Sequence, residues 1–276
     1  KTSVRSSRQH RSDIAHFRCQ PGRYQRFNDL AEPPWGESVV KDIREALIRS
    51  AAEYGIPVSP RQAEQFQVYL EMLTEWNQKI NLTALKEPEE IAEKHFLDSI
   101  LILKFGKIPQ GAKLIDVGTG AGFPGVPLKI LRPDLRLTLL DGLQKRLIFL
   151  NELLSSLSLE AEIVHLRAEE GGRKPEYRET FDLATARAVA RLPVLCEYCL
   201  PFVKSGGRFV SMKGPNVQEE LGSAQRAIHL LGGKVDAVKQ YTLPDGAGRS
   251  LVFIRRVKPL LREYPRHGAK ITKLPL

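Results

Sequence analysis

A glycine-rich turn between two apolar segments constrains the fold of this chain more than any other feature. The turn, residues 116–125, follows the apolar pair Leu114 and Ile115 and precedes apolar residues at helical spacing from Val126 onward. This order predicts a strand, a tight turn and a helix. Because glycine has no Cβ, such a turn lets the backbone approach a ligand closely. The sequence therefore predicts a nucleotide-like ligand at the end of a strand.

The spelling of the turn is compatible with two cofactors. Gly120, Gly122 and Gly125 fit the dinucleotide fingerprint G-x-G-x-x-G. Gly118, Gly120 and Gly122, with Asp116 two residues before the first of them, resemble the first motif of S-adenosylmethionine (SAM) methyltransferases. The turn alone leaves both alternatives open, so other parts of the chain have to distinguish them.

The apolar pattern after Lys113 predicts strands that alternate with helices, which is typical of a parallel sheet covered on both faces. The predicted strands are 113–117, 136–140, 161–166, 181–186, 207–212, 235–242 and 250–257, and the predicted helices are 124–131, 144–157, 192–203 and 216–231. The last two strands are joined by Pro244, Asp245 and Gly246, which predicts a hairpin at a sheet edge. This α/β pattern resembles the class I SAM-dependent methyltransferase (Rossmann-like) fold, a seven-stranded sheet, more than a dehydrogenase.

The segment before the sheet predicts an N-terminal helical cap. Its helices are predicted at 38–54, with Ser38 as N-cap, after Ser59 and Pro60, and at 88–105. We therefore expect four regions along the chain. They are a disordered basic extension or over-extended start at 1–37, the cap at 38–110, the SAM-binding domain at 111–257 and a basic tail at 258–276. An organellar transit peptide is an alternative for the first region.

Charge is concentrated at the two ends of the chain. The net charge is +10, and residues 1–28 and 255–276 each carry +6. Basic ends on a nearly neutral body suggest contact with a polyanion, the alternative being solvated tails that keep the protein soluble. Three cysteines suit a reducing compartment, and Cys196 and Cys199 fit core packing better than a metal or redox role. We expect a cytoplasmic monomer with no membrane span and no metal site.

The ends of the predicted strands supply candidate cofactor residues. Asp141 ends the second strand, where a carboxylate can accept hydrogen bonds from ribose hydroxyls or cap the helix that begins near Leu143. Ala168 and Glu169 follow the third strand and could hold an adenine edge. Arg187 ends the fourth strand and faces the cleft, the alternative being an ion pair with a carboxylate of the cleft such as Glu169.

Several motifs occur in an order that resembles one family, the bacterial small-subunit ribosomal RNA guanine-N7 methyltransferases, also called glucose-inhibited division protein B. The motifs are Asn81-Leu82-Thr83-Ala84, His95-Phe96-Leu97-Asp98-Ser99, the loop 116–125, Leu140-Asp141, Arg167-Ala168-Glu169, Ala186-Arg187-Ala188, Lys213-Gly214 and Tyr264-Pro265-Arg266. The resemblance covers about residues 40–276, and His267 stands where a lysine is expected.

The resemblance implies SAM as methyl donor and guanine N7 of 16S rRNA, alone or in the small ribosomal subunit, as acceptor. It implies cofactor contacts at Gly118, Phe123, Ala168, Glu169 and Arg187, to which the turn adds Thr119, Gly120 and Gly122, and the second strand adds Asp141. Alternatives are a methyltransferase of a small molecule or protein, and a ribosome-binding factor without catalysis. A dinucleotide oxidoreductase is less favoured because a second substrate domain is lacking.

Guanine N7 keeps its lone pair in the neutral base, so its methylation needs positioning rather than a general base. We therefore assign no catalytic base. Lys213 is expected to bind guanine O6 or phosphates, and Arg249 and Arg266 to bind phosphates, which gives affinity and salt dependence rather than base choice. A solvated lysine is the alternative for Lys213, and Tyr264 either stacks on a base or packs within the tail.

Overall fold

The computed structural model describes residues 16–17 and 40–276. The first part of the described chain is helical. Its elements are α1 (Arg44–Glu53), α2 (Pro60–Asn77), and a continuous helical segment made of α3 (Pro88–Ile91), a π-helical turn (Ala92–Leu97), α4 (Asp98–Ile100) and α5 (Ile102–Phe105). No helix within the described ranges is long and apolar enough to cross a membrane.

Strands and helices alternate from Lys113 onward, as predicted. The strands are β1 (His16–Phe17), β2 (Lys113–Val117), β3 (Arg136–Asp141), β4 (Glu162–His165), β5 (Phe181–Arg187), β6 (Val203–Lys213), β7 (Gly233–Thr242) and β8 (Gly248–Arg256). The helices are α6 (Gly125–Leu131), α7 (Gln144–Ser156), α8 (Ala168–Gly171), α9 (Leu192–Cys199), a 3-10 turn (Leu200–Phe202), α10 (Val217–Leu230) and α11 (Gly268–Lys273).

All these strands form one sheet in the order β1-β4-β3-β2-β5-β6-β8-β7. The strands β4, β3, β2, β5 and β6 are parallel, whereas β8 runs antiparallel to both β6 and β7. The hairpin predicted at the sheet edge is therefore confirmed, and the turn is closed by the bond from Leu243 N to Ala247 O, 3.0 Å. The seven predicted strands are all present, and the two-residue β1 adds an antiparallel edge to β4.

The two faces of the sheet are covered by different layers. One hydrophobic cluster joins the cap, through buried residues such as Phe66 and Phe96, to α6 and α7. The other cluster lies between the sheet and α9 and α10, with Leu195 and Ile228 buried. Cys196 and Cys199 are fully buried in this second layer, and burial raises the pKa of both thiols. The cap thus shares its hydrophobic core with the sheet.

The helix starts differ in how well the sequence predicted them. Ser59 accepts a hydrogen bond from Gln62 N, and Gln62 reaches back to Ser59 N, so α2 begins with the capping box expected after Ser59. The first helix begins at Arg44 rather than at residue 38, because the Asp42 carboxylate accepts the bond from Arg44 N at 2.9 Å. Ser38, the predicted N-cap, lies outside the described residues, as does nearly all of the predicted disordered extension.

Candidate active site

The glycine turn is fixed by hydrogen bonds to the neighbouring strand β3. Gly118 N and Thr119 N both donate to Leu140 O, at 2.8 and 3.1 Å, and Gly120 N donates to the Asp141 carboxylate at 3.0 Å. Gly118 and Gly120 have φ values of +67° and +61°, a left-handed conformation that favours glycine. The turn is therefore shaped before any ligand arrives.

The three glycines of the turn have different surroundings. A Cβ on Gly122 would lie 2.6 Å from Tyr69 Oη, so this glycine allows the cap to pack closely. A Cβ on Gly118 would lie 2.8 Å from Val189 Cγ2, whereas a Cβ on Gly120 would meet nothing within 4 Å. Gly120 thus faces open space, and a ligand can reach its backbone there.

Asp116 is a fully buried acid that connects the turn to its surroundings, although the sequence analysis names it only as part of the glycine motif. Its carboxylate accepts hydrogen bonds from Thr119 Oγ1 at 2.7 Å, Gly125 N at 3.0 Å and Thr185 Oγ1 at 3.0 Å. Burial raises the pKa of Asp116 to about 6, although these hydrogen bonds oppose the shift. The signal in the sequence is an acid at the end of the first strand, two residues before Gly118. Asp116 ties the turn to β5.

Asp141 connects the turn to α7. It is buried, and its oxygens accept bonds from Gly120 N and from Leu143 N, the latter at 2.9 Å. The guanidinium of Arg146 lies 3.3 Å from it. The alternative role of Asp141 as the cap of this helix is wrong, because α7 begins at Gln144 without a side-chain cap and the bond from Leu143 N lies just before it. Binding of ribose hydroxyls by Asp141 stays a prediction, and it requires these oxygens to accept further bonds.

Ala168 and Glu169 lie at the start of α8, where the chain meets the C-terminal tail. A Cβ on Gly268 would lie 2.9 Å from Glu169 Cδ, so α11 begins directly against this carboxylate. The side chain of Arg167 lies over Gly142, 3.1 Å from where a Cβ would be. Tail, α8 and the end of β3 therefore converge at one side of the predicted cofactor site.

Arg187 lies between the cap and the sheet, and its side chain is mostly buried, with 13% exposed. Its guanidinium donates to Lys94 O and to His95 Nδ1, each at 3.1 Å, and lies 3.6 Å from the Asp98 carboxylate. It also lies over the ring of Phe123, 4.7 Å from the centroid. The predicted alternative, an ion pair between Arg187 and a carboxylate, is present, but the partner is Asp98 from the helical cap and not Glu169, the example that the sequence suggests.

His95 is held in one protonation state by its neighbours. Arginine has only donors, so Nδ1 accepts from Arg187 and the ring proton resides on Nε2, which donates to Thr83 Oγ1 at 2.7 Å. Burial and the positive charge of Arg187 lower the pKa of His95 to about 3. Both ring nitrogens are occupied, so His95 is not available as a base.

Arg249 extends this buried network to the edge hairpin. Its Nε lies 3.8 Å from the Asp98 carboxylate, which also accepts the hydroxyl of Tyr241 at 2.7 Å. Burial raises the pKa of Asp98, and the two arginines oppose this shift. Arg249 was expected to bind phosphate, but its head is turned toward a buried carboxylate and is only partly exposed. Its role as an RNA contact stays a prediction.

Two other predicted RNA contacts are engaged within the protein. Lys213 Nζ donates to Ala190 O at 2.8 Å and to the Glu220 carboxylate at 2.7 Å. Arg266 makes a bidentate ion pair with buried Glu197, with Nη2 2.6 Å from Oε2. These contacts correct the expectation that both cations are free for phosphate. Tyr264 is buried and fits the alternative of packing within the tail.

The sheet order reverses between β2 and β5. The ligand crevice therefore lies beyond the carboxyl ends of these two strands, next to Gly118 and Arg187. A parallel sheet with a terminal antiparallel hairpin and a glycine turn at this crevice defines the class I methyltransferase fold. Residues 62–251 match the family model "GidB: rRNA small subunit methyltransferase G". The chain is 48% identical over 236 residues to "Ribosomal RNA small subunit methyltransferase G" of Acetivibrio thermocellus, covering 85% of this chain and 97% of the relative.

A second relative with the same name, from Lachnoclostridium phytofermentans, is 47% identical over 83% of this chain and 96% of its own length. A solved 16S rRNA (adenine(1408)-N(1))-methyltransferase from Catenulisporales acidiphilia is more distant, with 15% identity, a TM-score of 0.46 and coverage of 54% of this chain and 86% of that one. On the family model and the close relatives, the chain belongs to the rRNA small subunit methyltransferase G family.

Proposed function

We propose that this protein transfers the methyl group of SAM to N7 of a guanine in 16S rRNA. The observation that carries the proposal is the open space over Gly120, beside the crevice between β2 and β5, in a chain of this family. Gly118, Thr119, Gly120 and Asp141 would hold the donor on one side. Phe123 is covered by Tyr69, His95 and Arg187 and supports the turn from behind.

The groups in the site support a reaction without a general base. When bound, SAM supplies an already activated methyl group, and guanine N7 presents a lone pair without losing a proton. His95 has no free ring nitrogen, and Asp116 is fully engaged in holding the turn. What the residues of the chain contribute is a fixed geometry and the exclusion of water. Positioning of the acceptor in line with the donor is thus the main demand on the site.

The exposed basic residues of the tail suit phosphate contact better than Arg266 does. They are Lys258, Arg262, Lys270 and Lys273. Such contacts give affinity that falls as salt concentration rises. We propose 16S rRNA or the small ribosomal subunit as the partner of a cytoplasmic monomer, and the charge at the C-terminal end supports a polyanionic substrate.

Methyl transfer is tested with labelled SAM and small subunits that lack the modification, with naked 16S rRNA in parallel. We expect label in rRNA and, by mass mapping of nuclease fragments, at N7 of one guanine. Label that enters a protein or a small molecule and never RNA would contradict the proposal. Comparison of the two substrates also shows whether the assembled particle is required.

The donor site is tested separately by calorimetry with SAM. Gly120→Arg should abolish SAM binding, because the arginine side chain would occupy the open space over Gly120 that the donor needs. Gly206→Arg is a matched control, since Gly206 also has a positive φ, +77°, and open space around its Cβ position, but lies in β6 away from the crevice. Equal affinity in both variants would exclude the proposed donor site.

A further inference from the structure

The loop after β5, residues 188–191, stands at the crevice between β2 and β5. Val189 is 38% exposed, yet its Cγ2 lies 2.8 Å from where a Cβ on Gly118 would be. One side of this valine therefore covers the Cα of the first glycine at the crevice, and the rest of its side chain is partly exposed. An apolar side chain in this place offers an apolar contact surface to a ligand that enters the crevice.

The backbone of this loop is held in an unfavourable conformation. Ala188 has a φ of +56°, which L-residues other than Asn and Asp adopt rarely. Such conformations persist only where surrounding contacts hold them, and they cluster at functional sites. Arg187 fixes the loop at its start through its bonds to the cap. The rest of the loop needs a second anchor.

Lys213 and Glu220 provide that anchor. Lys213 Nζ donates to Ala190 O at 2.8 Å, and the Glu220 carboxylate accepts from Leu192 N at 2.8 Å. The two side chains are joined by their own ion pair of 2.7 Å, and Lys213 is only 11% exposed. One ion pair from β6 and α10 thus grips both a carbonyl and an amide at the end of the loop.

We propose that Val189 contacts the face of the target guanine, and that Lys213 and Glu220 are positioning residues that hold Val189 over Gly118. The inference rests on the proposed function, because it takes the acceptor to be a purine. A purine face is apolar, so contact with a half-exposed valine removes apolar surface from water. Valine has a stiff side chain, which fixes how deep the base can enter.

The contact is tested by kinetics on unmethylated small subunits together with SAM calorimetry. Val189→Ala should lower kcat/KM for RNA about tenfold, with SAM affinity within about twofold of the wild type. Val189→Ile, which keeps a stiff branched apolar side chain, should retain the kcat/KM of the wild type. Val257→Ala is the matched control, because Val257 is 45% exposed and follows β8, whose end lies away from the crevice. Equal activity of the two alanine variants, or a parallel loss of SAM affinity, would overturn the contact.

The positioning role is tested by combining substitutions. Lys213→Ala and Glu220→Ala should each lower kcat/KM for RNA about tenfold, and adding Val189→Ala to either should have little further effect, because all act through one loop. If Lys213 binds phosphate instead, the losses of Lys213→Ala and Val189→Ala should multiply in the double variant. In that case Lys213→Ala should also reduce the slope of log RNA affinity against log salt concentration by about one. That result would overturn the proposal.

Hydrogen exchange separates this inference from the proposed function. The amide of Leu192 donates to Glu220, so Glu220→Ala, which removes the acceptor, and Lys213→Ala should speed its exchange at least tenfold in the absence of substrate, while the melting temperature shows that the fold is intact. Unchanged exchange would exclude the anchor. A wild-type protein that binds SAM but never methylates rRNA would refute the proposed function and, with it, the guanine contact.

Discussion

The ion pair between Arg266 and Glu197 allows a quantitative test of what the C-terminal tail does. Glu197 is fully buried in α9, and its carboxylate accepts bonds from Arg266 N, Nε and Nη2 at 2.7, 2.9 and 2.6 Å. Arg266→Ala would leave a buried carboxylate without its charged partner. Breaking a buried pair in this way costs about 3–5 kcal/mol, and we expect about 3 kcal/mol because Arg266 retains some exposure.

Urea unfolding at pH 7 measures this loss directly. A loss of about 3 kcal/mol should lower the melting temperature by about 6–12 °C in a chain of this size. Arg262→Ala is the matched control, because Arg262 is exposed in the same tail, and its loss should change the free energy of unfolding by less than about 0.5 kcal/mol. Adding Glu197→Gln to Arg266→Ala removes the stranded charge, so the double variant should be more stable than Arg266→Ala alone.

Two outcomes would refute this reasoning. Arg266→Ala could be as stable as Arg262→Ala, which would mean that the buried carboxylate does not depend on its partner. Alternatively, Arg266→Ala could keep its stability and reduce the salt dependence of RNA binding by about one unit of slope, as expected for a phosphate contact. The second result would restore the role that the sequence predicted for Arg266.

Three further predictions concern the cap and the turn. His95 has a pKa of about 3 in the folded state, below its unfolded value of about 6.5, so the unfolded state binds more protons and the free energy of unfolding falls as the pH drops below about 6.5. Between pH 7.5 and 5, His95→Gln should therefore lose about 2 kcal/mol less stability than the wild type. Equal losses in the two proteins, measured by urea unfolding at both pH values, would exclude this. Gly122→Ala should destabilise by about 2–4 kcal/mol, since its Cβ meets Tyr69 at a φ of +102°, whereas Gly120→Ala should cost only about 1 kcal/mol of backbone strain; thermal melts that rank the two alike would contradict the packing argument. Ser59→Ala removes half of a capping box and should cost about 1 kcal/mol in chemical unfolding, unless the helix start is held by packing alone.

Local patterns predicted the sheet well because its central strands β2, β3 and β5 are buried on both faces and read as apolar runs. The glycine turn and the hairpin at residues 244–246 depend on residue types that permit particular backbone angles, so they too could be read locally. The short helices α8 and α11 were missed, because four to six residues give too little periodicity. The predicted start of the first helix lies six residues before the observed one at Arg44, where the Asp42 carboxylate rather than a residue near 38 accepts a bond from the first helical amide.

The candidate site was predicted less completely, for a different physical reason. The sequence identified Gly118, Gly120, Asp141 and Arg187 from their positions at strand ends, where topology brings them to one edge of the sheet. It could not show that Asp98 rather than Glu169 pairs with Arg187, because the partner comes from the cap, 89 residues earlier in the chain. Such a pairing depends on how two layers pack, which no local pattern encodes.

The sequence by itself determined the class of fold, the place of the glycine turn and the family resemblance, because these follow from short-range periodicity, turn chemistry and ordered motifs. Only the tertiary structure decided which cations remain available. Lys213 and Arg266 look alike in the sequence as basic residues near a polyanion, yet each is pulled inward by a carboxylate on α10 or α9. A charge placed next to a buried opposite charge is no longer a surface charge, and that neighbourhood exists only after the chain has folded.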